Sequence, residues 1–299
     1  MRRRNCWRAG ALWGRLIILG LLTGLTYCAA AEPEVWLSAT SIRPGDFVMV
    51  KVKAAPDSRV TLKFMGSSKQ LIAVGSLEQY AGLAAASYRT VPGKYPLTVE
   101  IDNGEAPLIK EQTITVVDRS FVEQRITVSK QMQQNTATAE KQAKDAQTGL
   151  AVRQKAEQMG LPPMWSGAFV MPVSGRKTSD FGLIRYVNNR ENGRHSGWDL
   201  AAPTGTPVVA VNEGRVVFAG TLYATGYTVI LHHGLDLYSA YAHLSKITVQ
   251  EGERVGRGQQ VGKVGATGLA TGPHLHLTMR VGEIPVDPAL FIDKTVDWN

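Results

Sequence analysis

The sequence predicts an all-β protein built as two β units joined by one helical connector, and three observations predict it. Apolar residues alternate in twos between Val35 and Asp118, short apolar runs punctuated by Gly recur from Trp165 to Phe291, and the stretch between them turns to Ala, Gln, Lys and Glu. With 299 residues, 44% of them hydrophobic, the chain is long enough to bury two cores.

The first residues read as a targeting segment. Arg2, Arg3, Arg4, Arg8 and Arg15 precede an uncharged run from Leu16 to Cys28 that ends in Ala29-Ala30-Ala31. This is the pattern of a secretory signal peptide over residues 1–31, cleaved near Ala31; Leu16 to Ala31 is shorter than the ~20 residues of a spanning helix, so no stable membrane insertion is expected after cleavage. Cys28 as a lipidated terminus is disfavoured by the bulky Tyr27 before it. Cys6 and Cys28 are the only cysteines, so the exported chain has no thiol chemistry, and its location is expected to be secreted or periplasmic, in the cell envelope. The formal charge of +8 shrinks to 28 basic against 25 acidic residues over 32–299, too little to indicate a nucleic-acid partner.

Residues 32–118 form the first β unit. Val48, Val50 and Val52 face one way with Lys51 and Lys53 opposite, and Leu97, Val99 and Ile101 repeat the pattern. Turn signals at Arg43-Pro44-Gly45-Asp46, Pro92-Gly93-Lys94 and Asp102-Asn103-Gly104 divide the unit into about seven short strands, which predicts an antiparallel, immunoglobulin-like β-sandwich. It holds no His or Cys and reads as a spacer or docking module. Residues 119–164 read as a helical linker, with Ser129 as N-cap, Gly160 as stop and Pro162-Pro163 beyond. Met132, Ala139, Ala143, Ala146 and Leu150 make only a thin apolar stripe, so light packing is expected rather than a coiled coil. Residues 165–292 are the second, antiparallel β unit, with strands expected near 206–211, 215–219, 227–232, 237–243, 260–264 and 274–280; residues 293–299 form a C-terminal tail.

All six histidines lie between His195 and His276. In His274-Leu275-His276-Leu277 the strict alternation places both imidazoles on one face of a strand. His195-Ser196-Gly197-Trp198-Asp199 adds an imidazole and a carboxylate in a Gly-containing stretch flexible enough to turn both toward one point, and His243 joins from another strand. Imidazoles with one carboxylate are a donor set suited to zinc. His232 and His233, beside Gly234, are read as turn residues without a chemical role.

These residues resemble the M23 family of zinc metallopeptidases, the lysostaphin and LytM type of peptidoglycan endopeptidase. The resemblance covers about Met171 to Phe291: Ser179-Asp180-Phe181-Gly182, His195-Ser-Gly-Trp-Asp199, Tyr241-Ala-His243-Leu-Ser245, the glycine-rich segment from Val255 to Gly268, and Thr271-Gly-Pro-His274-Leu-His276. It implies a LytM-type fold for the second unit, Zn2+ held by His195, Asp199 and His276, and His243 with His274 as the catalytic pair. It also implies hydrolysis of peptide stems or cross-bridges of peptidoglycan by zinc-activated water, the histidine pair acting as general base and acid. Tyr186, Asn188 and Asn189, just before the first ligand, are candidates to bind substrate backbone.

Other motifs fail. No His-Glu-x-x-His helix is present, Gly262-Lys263 lacks the first Gly and the hydroxyl of a phosphate loop, and the lysine between methionines of a biotinyl or lipoyl carrier is missing. The alternative from another class is a non-catalytic LytM-like envelope factor that binds peptidoglycan or activates another hydrolase. Retention of all five site residues favours the enzyme. The sequence is silent on oligomeric state.

Overall fold

The computed structural model describes residues 32–75, 78–104, 106–126 and 139–296. The signal segment, Ser129, Met132 and the last three residues lie outside them. Among the described residues the protein is mostly β-strand with one long helix, and no helix is long and apolar enough to cross a membrane.

Two sheets form the N-terminal module. One has four strands in the order 34–37, 47–53, 79–85, 72–73; the other has five, in the order 41–42, 108–116, 93–102, 59–64, 67–70. The valines expected on one face, Val48, Val50 and Val52, are at most 1% exposed and meet Val60, Leu62, Leu97 and Val99 of the other sheet. The module is not wholly antiparallel: Ser41–Ile42 pairs in parallel with Thr115–Val116.

The opposite face of the four-stranded sheet is also buried. Met49, Ala81, Leu83 and Ala85 share one apolar core with Leu200, Leu231, Leu237, Leu277 and Phe291 of the second unit, and Phe47 stacks on Phe291 with ring centroids 5.1 Å apart. Arg119 adds a polar tie by pairing with Asp287 and lying 3.6 Å from Asp46. Burial of apolar area between the modules therefore contributes to the stability of both.

The connector differs from the sequence expectation in two ways. A short strand, Glu123–Ile126, leaves the first module and pairs in parallel with Ile184–Val187. The helix spans Ala139–Glu157 and ends before Gly160, whose φ of +55° is the left-handed geometry that favours glycine after a helix. Of its stripe, Ala143, Ala146 and Leu150 are exposed. The buried side carries Gly149, Val152 and Ala156, and Val152 and Ala156 pack on Val217, Ile230 and Tyr238. Hydropathy alone misjudged this face because its other anchors are polar: Asp145 accepts from the amides of Tyr223 (2.9 Å) and Ala224 (2.7 Å), and Arg153 Nε donates to Glu283 at 2.8 Å.

The second unit is built on one ten-stranded sheet, and its hairpin Ile184–Val187 and Arg190–Arg194 forms a separate three-stranded sheet with Glu123–Ile126. The path of the ten-stranded sheet runs 176–179, 198–201, 274–281, 237–247, 226–232, 214–222, 254–255, with 260–264 against 237–247, 207–209 against 260–264, and 284–286 against 274–281. Leu275, Leu277 and Met279 are fully buried, so the pleat turns His274, His276 and Thr278 to the other face.

Candidate metal centre

Three segments bring five chemically active side chains together. His274 and His276 stand on the strand His274–Val281. Asp199 lies on the neighbouring strand Trp198–Ala201, directly opposite His276 in the antiparallel register. The sequence reading made His195–Asp199 a Gly-containing stretch flexible enough to turn both groups toward one point; His195 to Gly197 are non-strand, but Asp199 is on a strand, and the register of that strand places the carboxylate.

His195 precedes that strand, at the exit of the hairpin formed by Ile184–Val187 and Arg190–Arg194. Gly197 lets the chain pass here, because a Cβ at this position would overlap the Leu277 carbonyl. Asn188 and Asn189, with φ of +49° and +64°, make the hairpin's turn, a backbone reason for asparagine at both places. The Tyr186 ring lies under the Arg125 guanidinium, 4.2 Å from its centroid, so the connector strand builds part of this wall.

His243 arrives from the central strand Leu237–Ile247 by a local irregularity. Its φ is +59°, rare for a residue with a Cβ, and the pairing with the strand Gly226–His232 shifts register nearby. Such a bulge re-aims a side chain. It is fixed by the His243 amide donating to the Thr225 carbonyl at 2.8 Å. The His243 ring then lies 4.6 Å from that of His274 and 6.1 Å from that of His276.

Backbone carbonyls set the tautomers. A carbonyl only accepts, so Nδ1–H of His195 donates to Asp180, Nδ1–H of His243 to Thr267 and Nδ1–H of His274 to Gly272, each at 2.8 Å. Each neutral ring is left with an Nε2 lone pair. For His195 it faces Asp199 Oδ1 at 3.0 Å, and His276 Nδ1 lies 2.8 Å from the same oxygen and 3.1 Å from His195 Nε2. With its own proton on Nε2, toward Thr278 Oγ1 at 2.9 Å, His276 adds a third inward lone pair.

Three acceptors in mutual contact repel unless a cation lies among them. His195, Asp199 and His276 have their ligand atoms all within 4.8 Å of one another, and edges of 2.8–3.1 Å come close to the ~3.3 Å edge of a tetrahedron with ~2.0–2.1 Å zinc bonds. Two nitrogens and one oxygen also match a catalytic zinc site with one open position, so this donor set fits Zn2+. Burial works against the Asp199 charge, but contact with the two imidazoles outweighs it and holds the carboxyl well below its usual range. Burial pushes the His243 imidazole down to about 4, against the pull of its bond to the Thr267 carbonyl, so it is neutral at pH 7.

Behind the centre, a cleft of about 540 Å3 runs between the helix and the open face of the sheet, with Asp145 and Arg153 on one wall and His276, Thr278 and Arg280 on the other. The sequence reading places Asp180, Thr267 and Gly272 inside motifs but gives none of them an orienting role, because a backbone carbonyl has no side-chain signature. Thr278 was in principle visible, two residues after His276 on the same strand face.

Residues 193–288 match Peptidase family M23. Over 93 residues the chain is 44% identical to peptidoglycan DD-endopeptidase ShyA of Vibrio cholerae, covering 31% of this chain and 22% of the relative. Over 135 residues it is 36% identical to the cell division protein DipM of Caulobacter vibrioides, covering 43% and 21%. The chain thus spans about a fifth of the length of these relatives. A crystal structure from Pseudomonas aeruginosa classed with peptidase M23 superposes over 84% of this chain and 94% of its own, with 28% identity and a TM-score of 0.60, so the likeness extends beyond the catalytic sheet to the N-terminal module. Together with the His, Asp, His donor set, these matches make the chain a member of the M23 family of zinc metallopeptidases, related to the lysostaphin and LytM type.

Proposed function

We propose that this protein is an exported zinc endopeptidase that hydrolyses peptide stems or cross-bridges of peptidoglycan in the cell envelope, with His195, Asp199 and His276 as zinc ligands and His243 and His274 as the catalytic pair. The observation that carries the reading is the triangle of three lone-pair donors with two further imidazoles beside it, each with its Nδ1 proton fixed on a carbonyl. Zinc held there supplies a Lewis acid for a scissile carbonyl and for water. His243, neutral at pH 7, accepts a proton at Nε2, and the pair divides the two proton transfers of peptide hydrolysis, from water and to the departing amine. The substrate reading is supported by the Vibrio relative, a peptidoglycan DD-endopeptidase. Within the same proposal, residues 1–31 are a cleaved signal peptide, 32–118 an immunoglobulin-like sandwich, 119–164 the linker, 165–292 the peptidase unit and 293–299 a tail.

The test is mass spectrometry of fragments released from defined peptidoglycan by the zinc-loaded protein, beside a His276→Ala control. New amine and carboxyl ends from the first and none from the second are expected. Matching digests would replace the enzyme with a binding or activating envelope factor.

A further inference from the structure

The cleft behind the metal centre holds an arginine that the chemistry at zinc does not use. Arg280 stands four residues along the strand His274–Val281 from His276 and on the same face, about 13 Å away at the ~3.3 Å rise of a strand. Both residues line the cleft, whose volume of about 540 Å3 is that of a ligand site. Between them the floor is made by Thr278 and, on the paired strand, Ala240 and Ala242, whose short side chains leave room above.

Arg280 is half-buried, and among the described residues its single hydrogen bond runs from Nη1 to the Glu283 backbone carbonyl at 2.6 Å. The Glu283 carboxylate is held instead by Arg153 of the helix, whose Nε donates to one oxygen at 2.8 Å and whose Nη2 donates to the other. Two guanidiniums therefore face one carboxylate at this part of the cleft. The other acid of the lining, Asp145, accepts from the amides of Tyr223 and Ala224. Burial, and after it the neighbouring Arg153, push the Arg280 guanidinium down to about 10 against the attraction of Glu283. It is still charged at pH 7, and an arriving anion would relieve both effects. A carboxylate accepts two parallel N–H groups of a guanidinium, which makes it the anion of matching shape.

We propose that Arg280 is a substrate-binding residue that selects a free carboxylate of the peptidoglycan stem, a few residues from the bond cut at the metal centre. The inference rests on the endopeptidase reading above and adds its specificity. An extended peptide laid along the strand from the metal centre advances by about the same ~3.3 Å per residue, so a carboxylate further along the stem reaches the guanidinium. A carboxamide in its place brings one acceptor and two N–H donors, and the donors oppose those of Arg280.

The experiment is calorimetric titration at pH 7 of the zinc-loaded full chain carrying His243→Ala, in which turnover does not interfere. The probes are the stem pentapeptide L-Ala-γ-D-Glu-meso-diaminopimelate-D-Ala-D-Ala and the same peptide with every carboxylate converted to carboxamide. The acidic peptide should bind about tenfold or more tightly, the contribution of one charge-assisted pair, and singly amidated peptides then identify the carboxylate that is read. Arg280→Gln in the same background should abolish the difference by weakening the acidic peptide alone. Equal binding of the two peptides before that substitution, or a preference that survives it and so belongs to zinc, would overturn the proposal. If Arg280→Gln loses the carboxamide peptide as well, Arg280→Lys decides: a preference reduced several-fold by loss of the planar fork supports the assignment, and an unchanged one overturns it. Hydrolysis by the protein with His243 intact is read separately. Carboxylate-selective binding without cleavage would sink the enzyme reading and leave this site standing, whereas cleavage of both peptides with equal KM would do the reverse.

Discussion

Thr278 Oγ1 lies 2.9 Å from His276 Nε2, two residues along the same strand and on the same face. With the His276 proton on the outer nitrogen, the hydroxyl accepts it and Nδ1 is left to the zinc site. Partners of this kind, one bond behind a ligand, typically contribute 10–100-fold in metal affinity. Thr278→Val conserves shape but removes the acceptor; Ser196 Oγ, at 3.5 Å, is too distant to replace it. Zinc affinity measured by competition with a chromophoric chelator should fall at least ~10-fold in Thr278→Val and recover in Thr278→Ser. Equal affinities in all three proteins would show that His276 holds its tautomer unaided.

Gly197 tests the approach of the His195 segment to the central sheet. Any Cβ there meets the Leu277 carbonyl, which is backbone and has no rotamer to yield. Gly197→Ala should therefore separate the strand Trp198–Ala201 from His274–Val281 locally. Zinc binding should be lost while far-ultraviolet circular dichroism stays close to that of the parent. Normal zinc stoichiometry in the variant would refute the close-packing account.

The shared core predicts thermodynamic coupling of the modules. Leu83 is 1% exposed and belongs to the same apolar cluster as Leu231 and Leu277. Leu83→Ala should cost about 2–5 kcal/mol. In scanning calorimetry the single transition expected of the whole chain should move down by roughly 4 °C or more without splitting. Two transitions, of which only one moves, would mean that the modules unfold independently.

These cases show what the sequence made legible. Strict alternation in His274 to Met279 gave the strand, the core face and the imidazole face, because period-two patterning is local information. The valines of the first module were readable for the same reason. Asp199 was assigned the right neighbourhood but the wrong local structure, since four residues are too few to show a period. The burial of Ala81, Leu83 and Ala85 against the second unit was not legible: a strand buried on both sides looks only more apolar, and nothing local says what covers it. The contact face of the helix was missed because Asp145 and Arg153 anchor it through polar bonds that hydropathy ignores.

Asp145 supports a separate measurement. Its carboxylate accepts from the amides of Tyr223 and Ala224, and the next residue, Thr225, gives the carbonyl that fixes His243. In Asp145→Ala both amides lose their acceptor, so hydrogen exchange across 223–225 should accelerate by about tenfold or more, the effect of one charge-assisted hydrogen bond. Unchanged exchange there would show that the turn is held by the sheet alone.

Acid should destabilise the protein through buried histidines outside the metal centre. Burial pushes both His232 and His233 down to about 4 from an ordinary 6.5. His233 is held neutral in a closed network: Nδ1–H donates to the Glu213 carbonyl at 2.6 Å, Nε2 lies 2.8 Å from Ser239 Oγ, and Ser239 Oγ lies 2.9 Å from the Tyr241 hydroxyl. A folded-state value below the unfolded one means that the unfolded chain takes up protons first. The stability contribution is therefore complete above pH 6.5 and is lost as the pH falls from there through about 4. Metal-free protein isolates this effect from protonation of the zinc ligands. Its melting temperature should fall steadily between those two pH values, and a His232→Gln/His233→Gln variant, less stable at pH 7.5, should show a shallower slope. An equal slope in the variant would assign the acid sensitivity to other groups.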